Sequence, residues 1–241
     1  AVSGPLRSAK IADLVEHCYE VDRHAGIFGD SKLVDLVTRV RPDLIIVSSY
    51  SPFSSKNTRF EVLRAIRSKC RVPILAIWGD VIWRGTIAHC SYMLDTVDLH
   101  VQQDTSRLSQ HFPDKDNILR LWPPLDFSVF HPGAERRDIP ISFVGALIGY
   151  QNVRIDYLNY LKEQNIDVYH TGGVCEQRVS LAEYADILRR SKISLNFSQD
   201  SLNGDQLKHR VFEILFSGAL LMESENSETK QFFTPMIDYV T

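Results

Sequence analysis

Several shortages in this chain of 241 residues narrow its class before any motif is considered. It has four cysteines, Cys18, Cys70, Cys90 and Cys175, widely spaced and without a Cys-x-x-Cys pair. Reduced core cysteines in a cytoplasmic protein are therefore expected. Its eight histidines are scattered, and none forms a His-x-x-x-His pair beside carboxylates, so no metal site is expected. Apolar runs such as Asp43–Val47 and Pro73–Trp78 are far too short for a membrane span. The opening residues Ala1–Arg7 contain no apolar leader segment. A net charge of −3 and a pI near 6.3 supply no electrostatic argument for a nucleic-acid partner. Both Gly-x-Gly-x-x-Gly and Gly-x-x-x-x-Gly-Lys-Ser/Thr are missing, which leaves dinucleotide and P-loop binding unsupported.

What is present is an ordinary globular composition arranged in a regular alternation. Apolar residues make up 44% and charged residues 24%, and a chain of this length can bury a core without disulfide or metal staples. Asp43–Ser48, Pro73–Trp78 and Val97–Val101 read as buried parallel strands. Between and around them, helices are expected at Ile11–Val21, Ser31–Arg41, Phe60–Arg67 and Thr105–His111. The alternation breaks at Leu121–Gly133, where three prolines and a glycine interrupt any regular element.

It resumes with strands at Ile141–Val144, Ile166–His170, Ile193–Phe197, Ala219–Met222 and Met236–Val240. Helices are expected at Asn152–Gln164, Leu181–Arg190 and Gln206–Ser217, with a short one at Glu228–Phe233. The expected class is α/β, with two Rossmann-like, doubly wound parallel-sheet domains. Residues 1–122 form the first, 123–139 a linker and 140–241 the second. The first domain opens without an apolar strand and Gly-rich turn, and the chain stops after a strand, so truncation at both ends is expected.

Four segments then carry a family resemblance. Lys208-His-Arg-Val-Phe-Glu-Ile-Leu-Phe-Ser-Gly-Ala-Leu-Leu-Met222 resembles the Arg-x-Phe-Glu-x-x-x-x-Gly-x-Leu-Leu stretch of GT-B glycosyltransferases. Asp138–Gly145 resembles the first strand and turn of their C-terminal domain, and Ser191–Asn196 the strand before the nucleotide site. Leu125–Pro132 is similar to the linker joining their two lobes. The group is family-1-like and includes spore-maturation CgeB-like proteins.

The resemblance implies two lobes facing a cleft and metal-independent transfer of a sugar from a nucleoside diphosphate sugar to an acceptor hydroxyl, with a slight preference for retention. No cofactor beyond the nucleotide sugar is implied, and the acceptor is a glycan, a protein or a small molecule. Glu213 would accept from the ribose hydroxyls. Arg210 and Lys208, near the positive end of a helix, would stabilise charge on the departing diphosphate. Gly218 would end that helix. An ordinary Arg210–Glu213 ion pair, three apart on one helix, is the competing reading.

Other candidates are single residues with a plain alternative each. Gly145, after a strand, would let backbone approach a phosphate, or is a simple turn. Arg154, beside Asn152 at a helix start, would reach the donor or stay solvated. His170 would lie near the nucleotide or mark a strand end. Phe197 would line a base pocket or fill the core, and Ser198 would bond the base. In the first domain, Asp80 would orient or deprotonate the acceptor hydroxyl, or cap a helix. Asp114-Lys-Asp116 spells Asp-x-Asp but reads as a solvated turn. The rival functions are a sugar-nucleotide epimerase and a non-catalytic scaffold that binds nucleotide sugars.

Overall fold

The structure, a computed structural model, describes residues 26–49, 60–79, 81, 84–133, 136–147, 152–172, 179–198 and 204–241. The chain divides into two compact units, Ala1–Pro124 and Leu125–Thr241. The helix expected at Ile11–Val21 and the carboxylate of Asp80 lie outside the described residues.

The first unit runs α1 (Gly26–Val40), β1 (Ile45–Ser49), α2 (Phe60–Lys69), β2 (Ile74–Trp78), α3 (Arg84–Met93), β3 (Leu99–Gln102), α4 (Arg107–His111) and β4 (Ile118–Arg120). Its strands pair in parallel in the order β1-β2-β3-β4, with Ile45 opposite Ile74 and Leu75 opposite Leu99. Apolar runs such as Ile74–Trp78 suit a parallel sheet covered by helices, and Ile74, Ala76 and Trp78 are fully buried in β2. Leu63 and Ile66, one turn apart on α2, join them in the core.

In the second unit the elements are β5 (Ile139–Val144), α5 (Asn152–Glu163), β6 (Tyr169–Thr171), α6 (Leu181–Arg190), β7 (Ser191–Asn196), α7 (His209–Phe216) and β8 (Leu220–Glu223), then a 3-10 turn at Thr229–Gln231. Its four strands are again parallel, but their order is β6-β5-β7-β8. The chain leaves β5 toward one edge, makes β6, then crosses back to place β7 on the other side of β5. That reversal opens a crevice at the carboxyl ends of β5 and β7, where open α/β sheets take their ligands. Among the described strands, the first unit has no such reversal.

Three expectations shift against the observed elements. The latter part of the proline-rich break packs on the second unit, with Phe130 buried beside Leu125 and Val129 in its core. Helix α7 starts at His209, three residues later than the pattern implies. Gln206 and Leu207 are instead buried as extended chain, because Asn226 Nδ2 bonds the Gln206 carbonyl at 3.1 Å and Asp205 takes the Ser227 N–H at 2.7 Å. The final strand reduces to isolated bridges, Val240 with Met222 and Tyr239 with Pro235.

Candidate functional site

At the reversal in the second unit lies a pocket of about 600 Å³. Its walls come from the turn after β5, the start of α5, the end of β6, the start of α6 and the start of α7. Gly145, Arg154, Lys208, Arg210 and Glu213, each expected from sequence, line it together with Tyr184. The size falls in the ordinary range for small-molecule sites.

Phe143 organises two of the cations of this pocket. Its ring is fully buried in β5, with the Arg210 guanidinium carbon 5.6 Å and that of Arg154 6.0 Å from the ring centre. A buried aromatic face stabilises such cations by roughly 0.5–2 kcal/mol each. Arg154 is further fixed by bonds to the carbonyls of Ala146 (3.2 Å) and Phe197 (3.3 Å), so it is a positioned residue and not a solvated one. Nε of Arg210 is buried with no partner among the described residues, which is the state of a donor that a ligand acceptor would satisfy. Gly145 is needed here for space. A Cβ on it would lie 2.9 Å from Phe143 Cζ and 3.2 Å from Arg210 Nη2.

The pocket lining holds a single carboxylate. Glu213 accepts a hydrogen bond from the Tyr184 hydroxyl at 2.7 Å, and Arg210 acts on it through charge without a salt bridge. The competing reading of an ordinary Arg210–Glu213 ion pair is therefore not what forms. Burial raises the Glu213 carboxyl above its usual range, while the Tyr184 bond and the Arg210 charge pull it down. Burial likewise raises the Tyr184 hydroxyl, reinforced by the neighbouring Glu213 charge, so it stays protonated and donates. Ser180 holds α6 in place for this contact, its hydroxyl accepting from the Glu183 N–H at 3.1 Å.

Lys208 is the N-cap of α7 and supplies no side-chain cap bond; its ammonium donates to Gln206 Oε1. The partial positive charge at the start of α7 therefore faces the pocket beside Lys208 and Arg210.

Four expected site residues lie elsewhere. His170 stacks behind Phe143, with centroids 5.5 Å apart, and its Nε2 bonds the Gly145 carbonyl at 2.9 Å. It supports the turn without lining the pocket. Phe197 packs edge-on to Phe143 at 5.2 Å and beside Tyr157 at 5.5 Å, the core alternative weighed for it above. Ser198 is buried against Glu223 and Asn196. Gly218 sits at the far end of α7 with φ +77°, shaping the turn into β8; a Cβ there would meet Arg137 Nη2 at 2.7 Å.

The sequence pattern missed a buried network at the strand ends. Glu223 accepts from Ser198 and from Asn196 at 2.7 Å, and Asn226 links it to the Gln206 carbonyl, next to Lys208. Burial raises the Glu223 carboxyl, and the surrounding donors lower it in part. Asp114-Lys-Asp116 is an exposed turn, with Lys115 bonded to Asp95 at 3.4 Å. No group of three or more His, Cys, Asp or Glu residues poised for a metal occurs among the described residues, and no described helix is long and apolar enough to cross a membrane.

Comparison with known proteins finds a likeness in the second unit, where this pocket lies. A family model described as glycosyl transferase-like matches residues 129–241, nearly the whole second unit. No curated protein matches the chain. Among solved structures, an alpha-glucosyltransferase in complex with UDP-glucose and DNA containing an abasic site is similar at a TM-score of 0.52 and 12% identity. The likeness covers 88% of this chain and 67% of that one, and at this identity it speaks for the fold. The second unit is therefore similar to glycosyl transferase-like domains, and the chain shares its fold with the matched glucosyltransferase.

Proposed function

We propose that this protein moves a sugar from a nucleoside diphosphate sugar to an acceptor hydroxyl, and that the second unit holds the donor. The observation that carries this is the composition of the pocket at the strand-order reversal. Arg210, Arg154 and Lys208 line it beside a helix start, together with the single carboxylate of Glu213. A nucleoside diphosphate offers the complement, with anionic oxygens at one end and a ribose diol at the other. Arg210 and Arg154, stiffened on Phe143, bind the diphosphate through charge-assisted bonds. The same groups, with Lys208, offset the charge that builds on the leaving diphosphate as the glycosidic bond breaks. Three cations at one site suit a reaction that proceeds without a divalent metal.

Glu213 accepts from the ribose hydroxyls, and Asp80 acts on the acceptor hydroxyl. The UDP-glucose in the similar structure makes a UDP sugar the first donor to try. Calorimetric titration with UDP, GDP and ADP tests the donor site directly. At least one should bind, and Arg210→Ala should weaken it by about 10- to 100-fold, the value of a charge-assisted bond. Absence of binding by all three would remove the donor-site assignment.

A further inference from the structure

Helix α7 sets a problem that the pocket has to solve. Arg210 and Glu213 are three residues apart on it, the spacing at which side chains on a helix surface meet. If they paired, the guanidinium and the carboxylate would neutralise each other, and neither would be available to a ligand. They do not pair. A residue from α6 takes the carboxylate instead, because the Tyr184 hydroxyl donates to Glu213 Oε2 at 2.7 Å. Glu213 makes no other hydrogen bond among the described residues, so Oε1 and the remaining lone pair of Oε2 are left for a ligand. Arg210 lies beside the same hydroxyl and over the face of Phe143.

The tyrosine ring is itself held, edge-on to Phe130 at 5.8 Å, in a helix whose start is fixed by Ser180. Its direction is therefore set before any ligand arrives.

We infer that Tyr184 is a positioning residue that keeps the Glu213 carboxylate turned toward a ribose diol and apart from Arg210, an assignment that rests on the donor-site reading above. Oriented this way, the carboxylate accepts from the 2′- and 3′-hydroxyls while Arg210 stays available to the diphosphate. Without the hydroxyl, the half-buried carboxylate has two ways to relieve its desolvation. It swings to Arg210, or it takes up a proton. Either one lowers affinity for a ribonucleotide and leaves a ligand without the diol little changed at that end.

The test compares whichever of UDP, GDP and ADP binds most tightly with its 2′,3′-dideoxy counterpart, in the wild type and in Tyr184→Phe. The substitution keeps the ring and its packing on Phe130, so the fold is preserved. The wild type should prefer the ribonucleotide by about tenfold or more, and Tyr184→Phe should lose most of that preference. In a Glu213→Gln background, Tyr184→Phe should add no further loss of preference, because the two act as one unit.

A pH series adds a readout that ring packing alone would not move. Ribonucleotide binding requires the ionised carboxylate, so it is full above the Glu213 pKa and fades as pH falls through it. Removing the Tyr184 bond takes away one influence that lowers this pKa. The fade should then begin at higher pH in the variant. The charged and titratable groups around Glu213 are Tyr184 from α6, Arg154 from α5, and Lys208, His209 and Arg210 at the start of α7. Only Tyr184 differs between the two proteins.

If the wild type binds no nucleotide, the donor-site reading falls and takes this inference with it. If the wild type discriminates the diol and Tyr184→Phe discriminates it equally, the inference alone is overturned. An equal loss for both ligands overturns it too, since that is the mark of a purely structural residue.

Discussion

Each unit carries a histidine stacked on a fully buried aromatic from the neighbouring strand, and the two pairs have opposite consequences. In the first unit Trp78 of β2 stacks on His100 of β3, with centroids 5.8 Å apart and planes at 19°. In the second, Phe143 of β5 stacks on His170 of β6 at 5.5 Å and 13°. The Trp78 indole N–H donates to His100 Nδ1 at 2.9 Å, and both residues are sealed in the core. Phe143 has no polar atom to satisfy, so its ring is left to meet the Arg210 and Arg154 guanidinium groups. A hydrogen-bonding aromatic closes a polar pair on itself, whereas a purely hydrocarbon one holds charges toward a ligand. The strand order agrees with this, since only the second unit, among the described strands, reverses direction and opens a crevice.

Truncating the two aromatics should separate packing from function. Trp78→Ala and Phe143→Ala each empty a fully buried site, at a cost of about 3–5 kcal/mol to the unit that carries it. Only Phe143→Ala should also weaken nucleotide binding, because Arg210 and Arg154 lose their shared platform. Urea unfolding and a nucleotide titration on both variants check this. A loss of affinity in Trp78→Ala equal to that in Phe143→Ala would break the distinction.

Acidification should push the two units in opposite directions. Burial pushes His100 down to about 4 from an ordinary value of 6.5. The unfolded chain therefore takes up a proton there before the folded one does. The stability His100 contributes is present above about pH 6.5 and is lost as pH falls toward about 4, by on the order of 3 kcal/mol. In the second unit, burial holds the Glu213 and Glu223 carboxyls above their usual 4.5, so here the folded state is protonated first. Their contribution grows as pH falls through the raised values toward 4.5 and diminishes as pH rises.

All three tryptophans, Trp78, Trp83 and Trp122, belong to the first unit, so their fluorescence reports its unfolding alone. The urea midpoint read from tryptophan should drop between about pH 6.5 and about pH 5, and His100→Gln should flatten that drop. A midpoint that rose over this range would contradict the assignment of His100.

How much of this could be read beforehand follows from where each signal resides. Most strands and helices are legible because apolar runs and helical periodicity are local, as in Ile74–Trp78 and Leu181–Arg190, whereas the expected Met236–Val240 strand forms only isolated bridges. Helix α7 starts three residues later than its pattern implies because Asn226 and Ser227, some twenty residues onward, hold Asp205 and Gln206 out of the helix. Gly145, Arg154, Lys208, Arg210 and Glu213 are legible from motif and position, and they share one pocket. Phe143 and Tyr184 carry no local signal of a site, because their roles arise only when elements far apart in sequence meet. Phe197 and Ser198 follow a strand end at the right place, yet their side chains pack against Phe143 and Glu223 instead of lining the pocket.

The smallest expected effect comes from a feature the units share. Arg67, in the last turn of α2, forks onto Asp98 with both bonds at 2.6 Å, and Arg190, ending α6, forks onto Asp138 at 2.8 and 2.7 Å. Each ties a helix end to a segment that leads into a strand, Asp98 before β3 and Asp138 before β5. Both forks are substantially exposed, so solvent and salt screen them. Their surroundings differ, because Asp98 also accepts the Ile74 N–H at 2.7 Å, fastening the start of β2, and Arg67 donates to the Val72 carbonyl at 3.2 Å, while Arg190 also reaches Asp186 at 3.5 Å. Asp98→Asn should therefore cost the first unit about 0.5–1 kcal/mol. Asp138→Asn should cost the second unit less, and neither should alter nucleotide affinity. Urea midpoints for the two variants at low and high salt measure the difference. If Asp138→Asn proved the more damaging, the Ile74 bond would not make the Asp98 fork the stronger of the two.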